Sequence, residues 1–123
     1  MSRVFRLSEM FHQHDYDETE DIAIAVDADV LAIPVTHAYV AKTTGGDAEA
    51  LTLANGKPGQ ILVISLVVDG NGDGTLTPDT CTGFATIVFA DAGDTVVLFY
   101  VDDLAGWRIW SAFGLTAQPT ITV

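Results

Sequence analysis

Ile61-Leu62-Val63-Ile64-Ser65-Leu66-Val67-Val68 is the stretch on which the fold turns. It is rich in β-branched residues, bounded by Gly59 and Gly70, and too short for a typical globular helix, so it predicts a central strand covered on both faces. Two further segments repeat the pattern, Phe84 to Phe89 and Thr95 to Val101, separated by Asp91-Ala92-Gly93-Asp94. Gly and Asp suit a tight reversal, so these two segments are expected to form a hairpin. In Gly106-Trp107-Arg108-Ile109-Trp110 strict alternation puts Trp107, Ile109 and Ser111 on one face and Arg108 and Trp110 on the other.

Upstream, Ile22 to Val26, Val30 to Val35, His37 to Lys42 and Ala50 to Leu53 read as short β segments, and Pro34 demotes its own to a strand end or an edge. Asn55-Gly56 favours a type I′ hairpin turn, and Thr120 to Val123 is extended. Ile22 to Leu31 also admits a helical reading, but β-branched residues hold its key positions. Short strands separated by Gly, Asp and Asn turns point to an all-β fold, a single-domain β-sandwich or jelly-roll-like barrel over residues 22–123.

A chain of 123 residues has room for one core. Hydrophobic residues make up 49% and charged residues 18%, which excludes a disordered tail or a coiled coil. With 17 Asp and Glu against 5 Lys and Arg the net charge is −12, so phosphate backbones and anionic lipid surfaces are repelled and neither nucleic acid nor membrane is an expected partner. Cys81 is the single thiol, which excludes an intramolecular disulfide and a cysteine zinc cluster. The N-terminus lacks an apolar run of signal-peptide length, so a soluble protein made in a cytoplasm is expected. High apolar content beside high net charge means that the aliphatic surplus must be buried, and burial between subunits is its natural outlet.

Residues 1–21 differ from the rest. They carry Arg3, Phe5, Arg6 and Phe11 beside the acidic run Asp15, Asp17, Glu18, Glu20 and Asp21, with no sustained period of 2 or 3.6. They are expected to be an N-terminal extended arm that anchors through Arg3, Phe5, Arg6 and Phe11 to a neighbouring subunit or a larger partner.

Asp69-Gly70-Asn71-Gly72-Asp73-Gly74-Thr75 is the sharpest local pattern. Asp69, Asn71 and Asp73, with the carbonyl of Thr75, match the early positions of a calcium loop, but Thr80 stands where the bidentate glutamate belongs and the flanks are strands. The preferred reading is a glycine-rich hairpin connection binding calcium weakly or not at all. His12-x-His14-Asp15, with His37, has metal-ligand spacing but falls mostly in an acidic arm, where solvation is favoured. Cys81 lies between threonines with no neighbouring base, Ser2, Ser8, Ser65 and Ser111 have no nucleophile-elbow context, and Trp107 and Trp110 more often close a core or interface than stack on sugar. No enzyme is expected.

Ala32-Ile33-Pro34-Val35-Thr36-His37, Asp47 to Leu53, Gly56-Lys57-Pro58-Gly59-Gln60, Asp69 to Pro78, Gly83 to Phe89 and Asp91 to Asp94 follow one another in an order that resembles a β-rich virion module of tailed bacteriophages, of the capsid decoration or head-fibre type. The resemblance covers roughly residues 32–115, lies in strand-and-turn motifs, and brings no catalytic residue with it. It implies a homotrimer bound to the major capsid protein on the capsid exterior. The trimer interface is expected to bury side chains of Ile61 to Val68 and Thr95 to Val101. Other readings are a tail-fibre or receptor-binding module whose exposed aromatics contact a glycan, and a calcium-binding β-module of a surface protein.

Overall fold

The computed structural model describes residues 22–123; the arm expected at 1–21, with Arg3, Phe5, Arg6, Phe11, His12, His14 and Asp15, lies outside the described residues. The described chain is all β, an open sandwich of two five-stranded sheets with neither closed into a barrel. The strands are β1 (Ala23–Val26), β2 (Ala32–Ile33), β3 (Tyr39–Thr43), β4 (Glu49–Leu53), β5 (Ile61–Val68), β6 (Gly74–Pro78), β7 (Thr86–Phe89), β8 (Thr95–Tyr100), β9 (Trp107–Phe113) and β10 (Thr120–Thr122). Sheet A runs β1-β3-β5-β8-β9 and sheet B runs β10-β7-β6-β4-β2.

The first six strands alternate between the sheets. β1, β3 and β5 pair in parallel in sheet A, and β2, β4 and β6 in parallel in sheet B, so the chain winds as a flattened coil of three rungs. β6 and β7 then reverse within sheet B, and β8 and β9 within sheet A, both antiparallel. Parallel neighbours need a crossover, and here each crossover is a strand of the opposite sheet.

This winding corrects three expected hairpins. Asn55-Gly56, Asp69 to Asp73 and Asp91 to Asp94 each join strands of different sheets, so all three are arches over the end of the sandwich. The local reversal is real, but the chain leaves its own sheet because both flanking strands carry an apolar row that must face the same core. Among the described residues neither Asn55 nor Gly56 has positive φ, so no type I′ turn forms. Gly56 is needed for another reason: a Cβ there would lie 2.8 Å from the Trp107 ring.

Leu62, Ile64 and Leu66 of β5 meet Leu51, Leu53, Leu76, Ile87 and Phe89 of sheet B in a fully buried core. Trp107 closes one end, donating from Nε1 to the Ala54 carbonyl at 2.9 Å and packing edge-to-face on Tyr100 at 5.1 Å. The Tyr100 hydroxyl donates to Asp103 at 2.6 Å; burial first, then this carboxylate, pushes the phenol up to about 12.

β5 is central in pairing, but its outward face is only partly covered: Ser65 is buried there, while Ile61 and Val67 are each 44% exposed. A run apolar on both faces reads as doubly buried by composition alone, which is why the sequence overstates its cover. In β9 the alternation breaks. Val97 pairs with Ser111 and Leu98 with Ile109, so Trp110 is the extra residue of a bulge. Ile109 and Ala112 therefore face the core with Trp107, while Ser111 turns outward, opposite to the strict alternation.

Candidate functional site

The predicted calcium loop is a piece of the coil's stacked end. The Thr44 amide donates to the Val68 carbonyl, the Gly72 amide to the Gly45 carbonyl, and the Glu49 amide to the Asp73 carbonyl, each at about 2.9–3.0 Å. The turn after β5 thereby lies directly on the turn after β3. A Cβ on Gly70 would sit 2.3 Å from the Thr44 carbonyl oxygen and one on Gly72 2.0 Å from that of Asp47. Gly70 and Gly72 are thus accounted for by the close approach of two backbones, and Gly74 by the Leu51 side chain, 2.9 Å from where its Cβ would stand. Asp69 accepts the Asn71 amide at 2.9 Å in an Asx turn, and Asn71 takes φ 83°, a left-handed conformation that asparagine tolerates. Asn71 and Asp73 are exposed, and Thr75 points outward from β6. Among the described residues no group of three or more His, Cys, Asp or Glu side chains could hold a metal.

At the same end lies an ion pair. Lys42 is buried on the inward face of β3, and its ammonium reaches the Asp27 carbonyl at 2.8 Å, the Val30 carbonyl at 2.7 Å and Glu49 Oε1 at 2.8 Å. Three N–H groups meet three oxygens. Glu49 Oε2 accepts the Gly45 amide at 2.6 Å. Burial alone would push the Glu49 carboxyl up, but hydrogen bonds from Lys42 and from the Gly45 and Asp29 amides outweigh it and hold the carboxyl below its ordinary value. The pair binds the turn of each of the first two rungs to the strands β3 and β4 and carries no open face for a substrate.

The other candidate nucleophiles and ligands are equally occupied or dispersed. The Cys81 thiol donates to the Phe84 carbonyl at 3.2 Å, and burial pushes it up, away from thiolate. Ser65 shares a 2.8 Å hydrogen bond with Thr95, and His37 Nδ1 lies 2.8 Å from the hydroxyl of its neighbour Thr36.

What the strands do assemble is a surface. On the outward side of sheet A the register aligns Tyr39, Val63, Val97 and Ser111 in one row and Ile61, Phe99 and Arg108 in another. Arg108 is the single charged side chain among the outward strand positions of this sheet. Trp110, 65% exposed, stands edge-on to Phe99 at 5.9 Å, and with Gly59 and Ile61 the two rings line an open groove of about 400 Å³. Phe113 is 52% exposed on the same side.

Part of this surface is legible in the sequence. Ile61 to Val68 and Thr95 to Val101 do carry the outward apolar rows, and alternation in β9 already sets Trp110 with Arg108 opposite Trp107; what alternation misses is Ser111 and Phe113, which the bulge turns outward beside Trp110. The Lys42–Glu49 pair was missed, although a signal existed: in Tyr39-Val40-Ala41-Lys42 and Glu49-Ala50-Leu51-Thr52-Leu53 alternation puts the lysine and the glutamate in phase with core residues. Comparison of the chain with protein-family models, curated proteins and solved structures found no match.

Proposed function

We propose that this chain is a structural virion protein, a capsid decoration or head-fibre protein of a tailed bacteriophage that binds the major capsid protein on the capsid exterior as a homotrimer. The observation that carries the reading is the outward face of sheet A, a broad apolar surface on a protein of net charge −12. Such a face marks association with other protein surfaces. The polar clusters described above are spent on internal hydrogen bonds, which favours an architectural role over catalysis. A glycan-binding fibre tip is less well supported, because the groove beside Trp110 is lined by Gly59, Ile61, Phe99 and Trp110, with no polar side chain to orient sugar hydroxyls.

The test is cosedimentation of the purified full chain with undecorated capsids, together with its copy number in purified particles. Binding that saturates in proportion to capsid subunits is the expected result. No cosedimentation, or a copy number confined to the tail, overturns the decoration reading.

A further inference from the structure

We infer that the outward face of sheet A is a self-association surface, covered by the same face of neighbouring copies of this chain. The inference deepens the proposed trimer by naming its contact surface, and it rests on that reading only for the number of copies.

Three features favour another copy as the occupant. The first is area. Five strands spaced about 4.8 Å apart, and up to eight residues long at about 3.3 Å per residue, present roughly 500 Å² per copy; face to face in a pair this reaches roughly 1,000 Å², and around a threefold axis roughly 1,500 Å² spread over three contacts. The second is charge. The acids of the described chain, Glu49 apart, sit in turns and arches, so such faces meet without trapping a carboxylate, the one charge they bring being Arg108 on the edge strand β9, and a basic partner would find no acid on the face to pair with. The third is polar satisfaction. Ser65 and Thr95, in the middle of the face, are buried and already bonded to each other, with Thr95 also donating to the Gly93 carbonyl at 2.9 Å. Covering them strands no polar group.

The anchors are then Trp110, Phe99 and Ile61, grouped about the groove, as aromatic residues at interface centres commonly are. In a trimer three such faces turn toward the threefold axis, each shared between two neighbours. Because each copy is strongly acidic, association should strengthen as salt rises, whereas docking onto a basic partner would weaken.

The experiment is sedimentation velocity of the full chain at micromolar concentration and two salt concentrations, with circular dichroism as the fold check. The wild type is expected at three times 13.1 kDa, with a higher associated fraction at high salt. Trp110→Asp and, separately, Ile61→Asp should each give one chain mass with an unchanged β spectrum, while Thr77→Asp on sheet B keeps the wild-type mass. A measurement free of substitution is tryptophan emission on dilution, which should shift to the red as Trp110 is uncovered. A monomeric wild type overturns the inference, as does an oligomer that both face variants leave intact. A dimer broken by both variants supports the surface and removes the threefold arrangement, and capsid cosedimentation reports on the decoration reading separately.

Discussion

Sheet B turns Thr52, Thr75, Thr77, Thr86, Thr120 and Thr122 outward, where sheet A turns Ile61, Val63, Val67, Val97, Phe99 and Trp110. Both sheets have three parallel and two antiparallel members, and both bury aliphatic residues on the inward side. The pleat therefore demands the same of each outward row, yet on sheet B the row is mostly threonine, with Val88 its one large apolar member, and on sheet A it is mostly apolar. Threonine satisfies β propensity while keeping a group for water, and Thr86 and Thr122 pair their hydroxyls across β7 and β10. An apolar outward row is thus no requirement of the fold, since the opposite sheet folds with threonine in most of those positions.

Both faces belong to one sandwich, and the ion pair between its sheets is where a single substitution costs most. Lys42→Ala leaves the Glu49 carboxylate buried without its cation and should cost about 3–5 kcal/mol, measured by urea denaturation. The double replacement Lys42→Met with Glu49→Leu should recover most of that loss.

Both faces also hang on the stacked turns. Gly72→Ala drives a Cβ into the Asp47 carbonyl and should cost about 1–3 kcal/mol, whereas Gly46→Ala, with its nearest neighbour 3.8 Å away, should stay within about 0.5 kcal/mol. Equal losses at the two positions would mean that the turns are not stacked.

Acid probes the pair more gently. The Glu49 carboxyl is held below its ordinary value in the folded state, so its contribution is present above the ordinary value and lost as pH falls through the lowered one. A melting temperature followed into acid should decline in that window, and Glu49→Gln should start lower and decline less.

The smallest effect sharpens the contrast between the faces. Thr52→Lys on sheet B should change stability by no more than about 0.5 kcal/mol.

Strand content was legible in the sequence because β-branched runs and Gly, Asp and Asn punctuation are local signals. The pairing of strands was not. Asp91 to Asp94 reverses the chain whether the next strand stays in the sheet or crosses to the other, and only the second choice lets Phe89 and Val96 face one core. The site was half legible for the same reason. The apolar rows of β5 and β8 can be read from composition, but the bulge at Trp110 depends on the register of β9 against β8. The calcium-like spacing of Asp69, Asn71 and Asp73 arose where two backbones touch, a demand for glycine and for left-handed residues that coincides with that of a cation loop.

The three-rung coil also governs how the chain can vary in length. Each rung contributes one strand to each sheet and contacts only the rungs beside it, so the stack is modular in the manner of a solenoid. Loss or gain of one residue inside a strand exchanges its inward and outward side chains, bringing outward residues such as Thr52 or Thr75 into the core. Gain of a whole rung does not, because it presents the same alternation and the same glycine-bearing turn to its neighbours. Related chains should thus differ by entire rungs, lengthening the apolar and hydroxylic faces together while the antiparallel strands β7 to β10 stay unchanged as the terminal cap.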